Sequence, residues 1–127
     1  MTQPFTGSHH YNETVLRHIA EPRNVGKMEN PGAVGRGANP SCGDEVTLYL
    51  RFEGGRVAEA KMEILACGAA TASMSALTDL ARGKTVEELM AITPEQIAES
   101  LGGLPRHKRH CAQLAQRVLR DALQGRA

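Results

Sequence analysis

The sequence predicts an α+β domain in which helices pack on one face of an antiparallel sheet. Residues 46–52 and 58–66 alternate between apolar and polar side chains, which is typical of half-buried strands. Gly54 and Gly55 separate these segments and favour a tight hairpin turn. From residue 69 onward the apolar side chains recur at helical spacing. Strands that come before helices, without alternation, indicate an α+β arrangement.

The N-terminal third adds little regular structure to this sheet. Residues 1–10 are polar and we expect them to form a flexible arm that precedes a single domain over residues 11–127. A short helix is predicted over 13–20, because Asn12 can cap its start and Pro22 follows its end. Residues 22–40 are rich in glycine, proline and asparagine, which predicts irregular chain with an edge strand around 33–37.

Four helices are predicted after the hairpin. The first runs from residue 69 to a stop at Gly83. Thr85 and Thr93 each start a short helix, to about residue 91 and to residue 101. The last begins near Pro105 and reaches about residue 124. Its apolar stripe consists of Cys111, Leu114, Ala115, Val118, Leu119 and Ala122.

Composition excludes several classes of protein. The chain has 127 residues and a net charge of +1, which argues against a nucleic-acid binder that relies on a basic face. No apolar run approaches the ~18 residues of a membrane-spanning helix. The first ten residues lack the apolar segment of a signal peptide, so we expect a cytoplasmic protein. The charge and the hydropathy lead us to expect neither a nucleic-acid nor a membrane partner.

The three cysteines cannot all pair within the chain, and in a reducing compartment such thiols are structural, metal-binding or reactive. Cys42 lies in a turn before the first arm of the hairpin, and Cys67 follows the second arm. Both positions are at the same end of the hairpin. Cys67 also precedes a helix, whose positive end favours ionisation of the thiol. Cys111 lies early in the last helix, beside His110.

These cysteines, together with Asp44 and His110, form a candidate metal site. Soft thiolates suit zinc or an iron–sulfur cluster. No second cysteine stands at C-x-x-C spacing, so the pattern is not that of an ordinary zinc finger. A stable cluster usually has four cysteine ligands. Three cysteines with a carboxylate or an imidazole therefore predict a weaker, more open site, which suits a cluster that must leave.

Three segments carry a family resemblance: NPSCGD at 39–44, ACGAATASMSALT at 66–78 and LGGLPRHKRHC at 101–111. Together with YNETVLRHIAEPRNVG at 11–26, they resemble the NifU/IscU family of iron–sulfur cluster scaffolds. The resemblance implies a three-stranded sheet packed by helices and a transient [2Fe–2S] cluster. It also implies a cysteine desulfurase that supplies sulfur, and recipient apoproteins that take the cluster.

The resemblance also implies roles for individual residues. Cys42, Cys67 and Cys111 would be cluster ligands and sulfur acceptors, Asp44 the carboxylate that keeps the site labile, and His110 the partner of Cys111. Lys108 matches a basic residue close to the site. We predict that Cys111 accepts the persulfide first, because Lys108, Arg109 and His110 can favour its thiolate. Cys67 is the alternative acceptor.

A scaffold of this kind is a carrier and not an enzyme. The family's chaperone-recognition stretch reads Leu-Pro-Pro-Val-Lys, whereas residues 104–108 here read LPRHK, so the motif for an Hsp70-type partner is altered. Two other functions stay open. One is a zinc-dependent sulfur acceptor, a sulfurtransferase of the same superfamily, and the other is a structural zinc domain. Zinc can also fill the site of a scaffold in the isolated protein.

Overall fold

The computed structural model describes residues 11–39 and 43–124. The predicted arm at 1–10, Cys42 and the last three residues lie outside the described residues. The secondary structure elements are α1 (Glu13–Ala20), β1 (Ala33–Asn39), β2 (Asp44–Glu53), β3 (Arg56–Leu65), α2 (Gly68–Ala81), α3 (Val86–Met90), α4 (Pro94–Ser100) and α5 (Arg109–Gln124).

The three strands form one antiparallel sheet in the order β1–β2–β3, which confirms the predicted fold class. Gly54 and Gly55 make the hairpin turn with φ angles of +60° and +79°, which residues other than glycine rarely adopt. Asn39 pairs with Asp44, and Glu45 pairs with Leu65. Asp44 therefore lies at the same end of the sheet as the residues that follow β3.

Alternation along β2 separates the two faces of the sheet. Val46, Leu48 and Leu50 are buried against the helices, whereas Arg51 on the other face pairs with Glu59 of β3. Helices α2 and α5 cover the buried face. Helix α2 is buried on nearly every side, not along one stripe, because α1, α5 and β3 all pack around it.

Helix α5 lies directly on the backbone of β1. A Cβ atom at Gly35 would stand 2.1 Å from the carbonyl oxygen of Val118, and one at Gly37 would stand 2.6 Å from a methyl carbon of the same residue. Glycine at these two positions therefore permits the close approach of helix and strand. This contact fixes the helix that carries Cys111 relative to the sheet that carries Asp44.

Local capping sets most helix starts where the sequence predicts them. The Asn12 side chain accepts the Val15 N–H, and both Thr85 and Thr93 form capping boxes. The last helix is an exception, because residues 106–108 form a 3-10 turn and α5 begins only at Arg109. Within the part of the chain that the structure describes, no helix has the length and apolar character of a membrane span.

Candidate metal centre

Three of the predicted site residues meet at one end of the sheet. Asp44 is the first residue of β2, Cys67 immediately precedes α2, and Cys111 lies in the first turn of α5. One ligand atom from each lies within 4.8 Å of the other two. This convergence follows from the hairpin register, which aligns Asp44 with the end of β3, and from the packing of α5 on β1.

The distances within this group are those of a small metal site. The Cys67 and Cys111 sulfur atoms are 3.9 Å apart, and Oδ2 of Asp44 is 3.7 Å from the Cys67 sulfur. The other carboxylate oxygen of Asp44 accepts the backbone N–H of Cys67 at 2.8 Å. Asp44 is only 1% exposed, so its side chain both anchors the Cys67 backbone and presents an oxygen to the sulfurs.

Cys67 is the more acidic of the two thiols. A hydrogen bond from the Cys111 thiol lowers the pKa of Cys67 to about 6, against the opposing effect of burial. The backbone N–H of Ala70, in the first turn of α2, and the positive charge of Lys108 act in the same direction. Cys67 is also partly exposed, so a thiolate is available at the surface near neutral pH.

Cys111 behaves in the opposite way: Lys108 favours its thiolate as expected, but two larger effects keep the thiol protonated. Its hydrogen bond to Cys67 and its complete burial raise its pKa, and these effects outweigh the lowering by Lys108. The metal-free pair therefore holds one negative charge on Cys67 and one proton on Cys111. Which cysteine accepts sulfur first is a separate question and stays a prediction.

Other predicted residues lie at the edge of this group. His110 places Nε2 3.6 Å from the Cys111 sulfur, while the mutually close ligand atoms belong to Asp44, Cys67 and Cys111. Lys108 acts electrostatically on both thiols. Cys42 is outside the described residues; in the sequence it is two positions before Asp44.

Tyr11 is a neighbour of the site that no sequence pattern indicates. Burial raises the pKa of its phenol, and the negative charge of Cys67 adds to this, although the positive charge of Lys108 acts in the opposite direction. A Cβ atom at Gly68, the first residue of α2, would lie 3.8 Å from its ring. Tyr11 therefore packs beside the start of α2. Spacing could not reveal this contact, because more than fifty residues separate Tyr11 from Cys67.

This donor set fits a thiophilic metal ion or cluster. The two sulfur atoms are soft ligands that bind such a metal strongly. The carboxylate oxygen is a hard ligand that binds it more weakly. Metal binding would remove the remaining proton from Cys111, since the thiolate is the form that coordinates. Partial exposure at Cys67 leaves the site open to another molecule.

Comparison with known proteins gives concordant results. The family described as NifU-like N terminal domain matches residues 10–125. "Iron-sulfur cluster assembly scaffold protein IscU 1" of Archaeoglobus fulgidus is 44% identical over 113 residues, which cover 89% of this chain and 74% of that protein. "Iron-sulfur cluster assembly scaffold protein IscU" of Aquifex aeolicus is 38% identical over 118 residues, which cover 91% of this chain and 75% of that protein.

A solved structure agrees with these sequence matches. A protein from Fervidobacterium islandicum AW-1, assigned to iron–sulfur cluster assembly by the SUF system, superposes with a TM-score of 0.74. The two are 27% identical over 93% of this chain and 99% of that one. The sequence match spans nearly the whole chain and the fold agrees, so this protein belongs to the NifU-like N terminal domain family.

Proposed function

We propose that this protein is a scaffold on which an iron–sulfur cluster is assembled and then transferred to recipient apoproteins. The observation that carries the proposal is the group of Asp44, Cys67 and Cys111, whose ligand atoms lie within 4.8 Å of one another. The names of the relatives from Archaeoglobus fulgidus and Aquifex aeolicus support the same function. The cluster is cargo, so the protein acts as a carrier and not as an enzyme.

The proposed ligands of the cluster are Cys42, Cys67 and Cys111, with Asp44 as a labile fourth ligand and His110 as its alternative. Residues 11–127 form the scaffold domain in this proposal. We propose a [2Fe–2S] cluster, which is the type that the family resemblance implies. Zinc would occupy the same thiolates in protein isolated without iron.

Sulfur would arrive from a cysteine desulfurase as a persulfide. The acceptor thiolate attacks the outer sulfur of the donor persulfide, the donor's S–S bond breaks, and the donor cysteine leaves as a thiolate. The family resemblance favours Cys111 as the first acceptor. The lowered pKa and partial exposure of Cys67 favour Cys67 as the alternative. A cytoplasmic location belongs to the same proposal, whereas the altered stretch at 104–108 argues against a dedicated Hsp70-type chaperone.

Anaerobic assembly tests the function directly. The protein is incubated with a cysteine desulfurase, L-cysteine, ferrous iron and dithiothreitol, which supplies the electrons that reduce persulfide sulfur to sulfide. The visible absorption and sulfide content are followed. We expect a coloured cluster that subsequently moves to an apo-ferredoxin. Tight zinc binding with persulfide turnover and no cluster would instead indicate the zinc-dependent sulfur acceptor.

Single variants of Cys67 and Cys111 identify the first acceptor. Each is replaced by serine, and mass spectrometry measures persulfide after a short incubation with the desulfurase. We expect the Cys111→Ser variant to gain no persulfide. A Cys111→Ser protein that gains it at the wild-type rate, together with a Cys67→Ser protein that gains none, assigns the role to Cys67.

A further inference from the structure

A run of basic residues borders the metal centre. Residues 106–110 are Arg, His, Lys, Arg and His, and no residue from 100 to 120 is acidic. The whole chain nevertheless has 15 lysine and arginine residues against 14 aspartate and glutamate residues. The positive charge is therefore concentrated locally and does not reflect a basic protein.

The helix macrodipole disfavours this placement. The run occupies the 3-10 turn and the first residues of α5, where the helix macrodipole already presents positive charge. Among the described residues, neither Arg106 nor Arg109 forms an ion pair. Glu95 and Glu99 share a groove of about 430 Å³ with Arg109, yet neither comes within ion-pair distance of it.

Some residues of the basic run are partly buried beside the site, and the others are exposed to solvent. Lys108 and His110 are partly buried and act on or contact the cysteines. Arg106, His107 and Arg109 are exposed. A molecule bound to these three exposed side chains would therefore lie within a few residues of Cys111.

We propose that Arg106, His107 and Arg109 form the docking surface for an acidic segment of the protein that donates sulfur. This inference rests on the proposed scaffold function. Charge complementarity supports this assignment. The surface is positive, Arg106 and Arg109 form no ion pair with any residue that the structure describes, and the run lies next to Cys111 in the chain. An acidic segment that binds there brings the donor persulfide to the edge of the site and accelerates the encounter.

Charge reversal tests the docking surface. The double variant Arg106→Glu/Arg109→Glu is titrated with a cysteine desulfurase at low salt, and binding is measured by calorimetry. We expect the dissociation constant to rise at least about tenfold, and the difference from wild type to shrink near about 0.5 M salt. The substitutions place negative charge at the start of α5, which favours the helix, so loss of folding does not explain weaker binding.

The double variant Arg82→Glu/Arg120→Glu is the matched control. It changes the net charge equally at two exposed positions, and Arg120 lies about 13 Å along α5 from Cys111. We expect it to bind the desulfurase within about twofold of wild type. Equal weakening in both double variants, or none in Arg106→Glu/Arg109→Glu, would overturn the inference.

Cluster assembly from inorganic sulfide separates this inference from the proposed function. We expect the single variant Arg106→Glu, which leaves Arg109 beside the site unchanged, to assemble a cluster from ferric iron and sulfide as wild type does, since the donor protein is then not needed. A wild-type protein that assembles no cluster from sulfide refutes the scaffold function. The binding titration still decides the docking surface in that case.

Discussion

Asp44 has two roles at the scale of single residues, one structural and one chemical. Its Oδ1 accepts the Cys67 N–H at 2.8 Å, while its Oδ2 is 3.7 Å from the Cys67 sulfur. The first contact positions the cysteine at the start of α2. The second places a hard oxygen donor beside soft sulfur, where a recipient's thiolate could replace it.

Two substitutions at Asp44 separate these roles. Asp44→Asn can still accept the N–H of Cys67, whereas Asp44→Ala leaves this N–H without its acceptor and should cost about 1–3 kcal/mol of folding free energy. Both variants lose the carboxylate ligand, so both should hold a longer-lived cluster and transfer it more slowly. Chemical denaturation of the metal-free proteins and transfer rates to an apoprotein measure the two effects.

The outcome for Asp44→Asn is decisive. A protein with near wild-type stability and slow cluster transfer supports a labile ligand. If Asp44→Ala loses stability while transferring its cluster as fast as wild type, Asp44 is a structural residue only.

Cys67 should react with electrophiles at unusually low pH in the metal-free protein. Its pKa of about 6 is far below that of a free thiol, and only the thiolate reacts. The rate of alkylation at Cys67 should therefore rise about tenfold from pH 5 to pH 7 and then level off. Iodoacetamide labelling, resolved by mass spectrometry for each cysteine peptide, measures this profile.

Cys111→Ala provides the control for this profile. It removes the hydrogen bond that contributes most to the low pKa of Cys67, so the plateau should move to higher pH. An unchanged profile in Cys111→Ala would assign the acidity of Cys67 to the start of α2 and to Lys108 instead.

The sequence predicts the members of the site better than their ionisation. Asp44 and Cys67 could be placed together because the hairpin register follows from alternation and from Gly54 and Gly55. The order of ionisation could not be predicted. It depends on the 3.9 Å distance between two sulfurs from different elements and on the burial of Cys111, neither of which a local pattern encodes.

At the scale of elements, the contact between β1 and α5 leaves the least room for an added side-chain atom. In Gly35→Ala the new methyl group would stand 2.1 Å from the Val118 carbonyl oxygen, so strand and helix must separate. We expect a loss of about 1–3 kcal/mol, as in other overpacked contacts. Cluster assembly should suffer as well, because α5 carries Cys111. Denaturant titration and cluster yield provide the measurements.

Gly32→Ala is the matched control for this contact. The nearest atom to its added methyl group is a side-chain carbon of Phe52 at 3.3 Å, which can move by a few tenths of an ångström. Its stability should stay much closer to wild type. Equal effects of the two substitutions would contradict the view that α5 rests on the β1 backbone.

Element boundaries were predictable where local chemistry determines them. The range of α1 agrees with the prediction, and the capping boxes at Thr85 and Thr93 start α3 and α4 as expected. The start of α5 was predicted too early, because Pro105 leads into a 3-10 turn before the helix begins. The burial of α2 on nearly all sides also depends on its neighbours, which its own spacing does not specify.

At the scale of the whole molecule, the core consists mostly of aliphatic side chains, and Cys111 belongs to it. It includes Val15 of α1, Leu50 of β2, Leu77 of α2, Ile97 of α4 and Leu119 of α5, all fully buried. A domain of this size can bury roughly two-thirds of its unfolded surface. The metal centre lies at one end of this core, so folding and metal binding should be separable.

Removal of metal should therefore leave the protein folded. We expect the chelator-treated protein to melt in one cooperative transition, as measured by circular dichroism. Zinc should raise the melting temperature, because it binds the native site, and the gain at a free zinc concentration about 1,000 times the dissociation constant is about 4 kcal/mol. In Cys67→Ser, which replaces a partly exposed ligand, the metal-free melting temperature should stay close to wild type while most of the zinc-induced rise is lost. A chelated wild-type protein that unfolds, with loss of its helical signal, would instead make the metal part of the fold. That result would favour a structural zinc domain over a scaffold that releases its cargo.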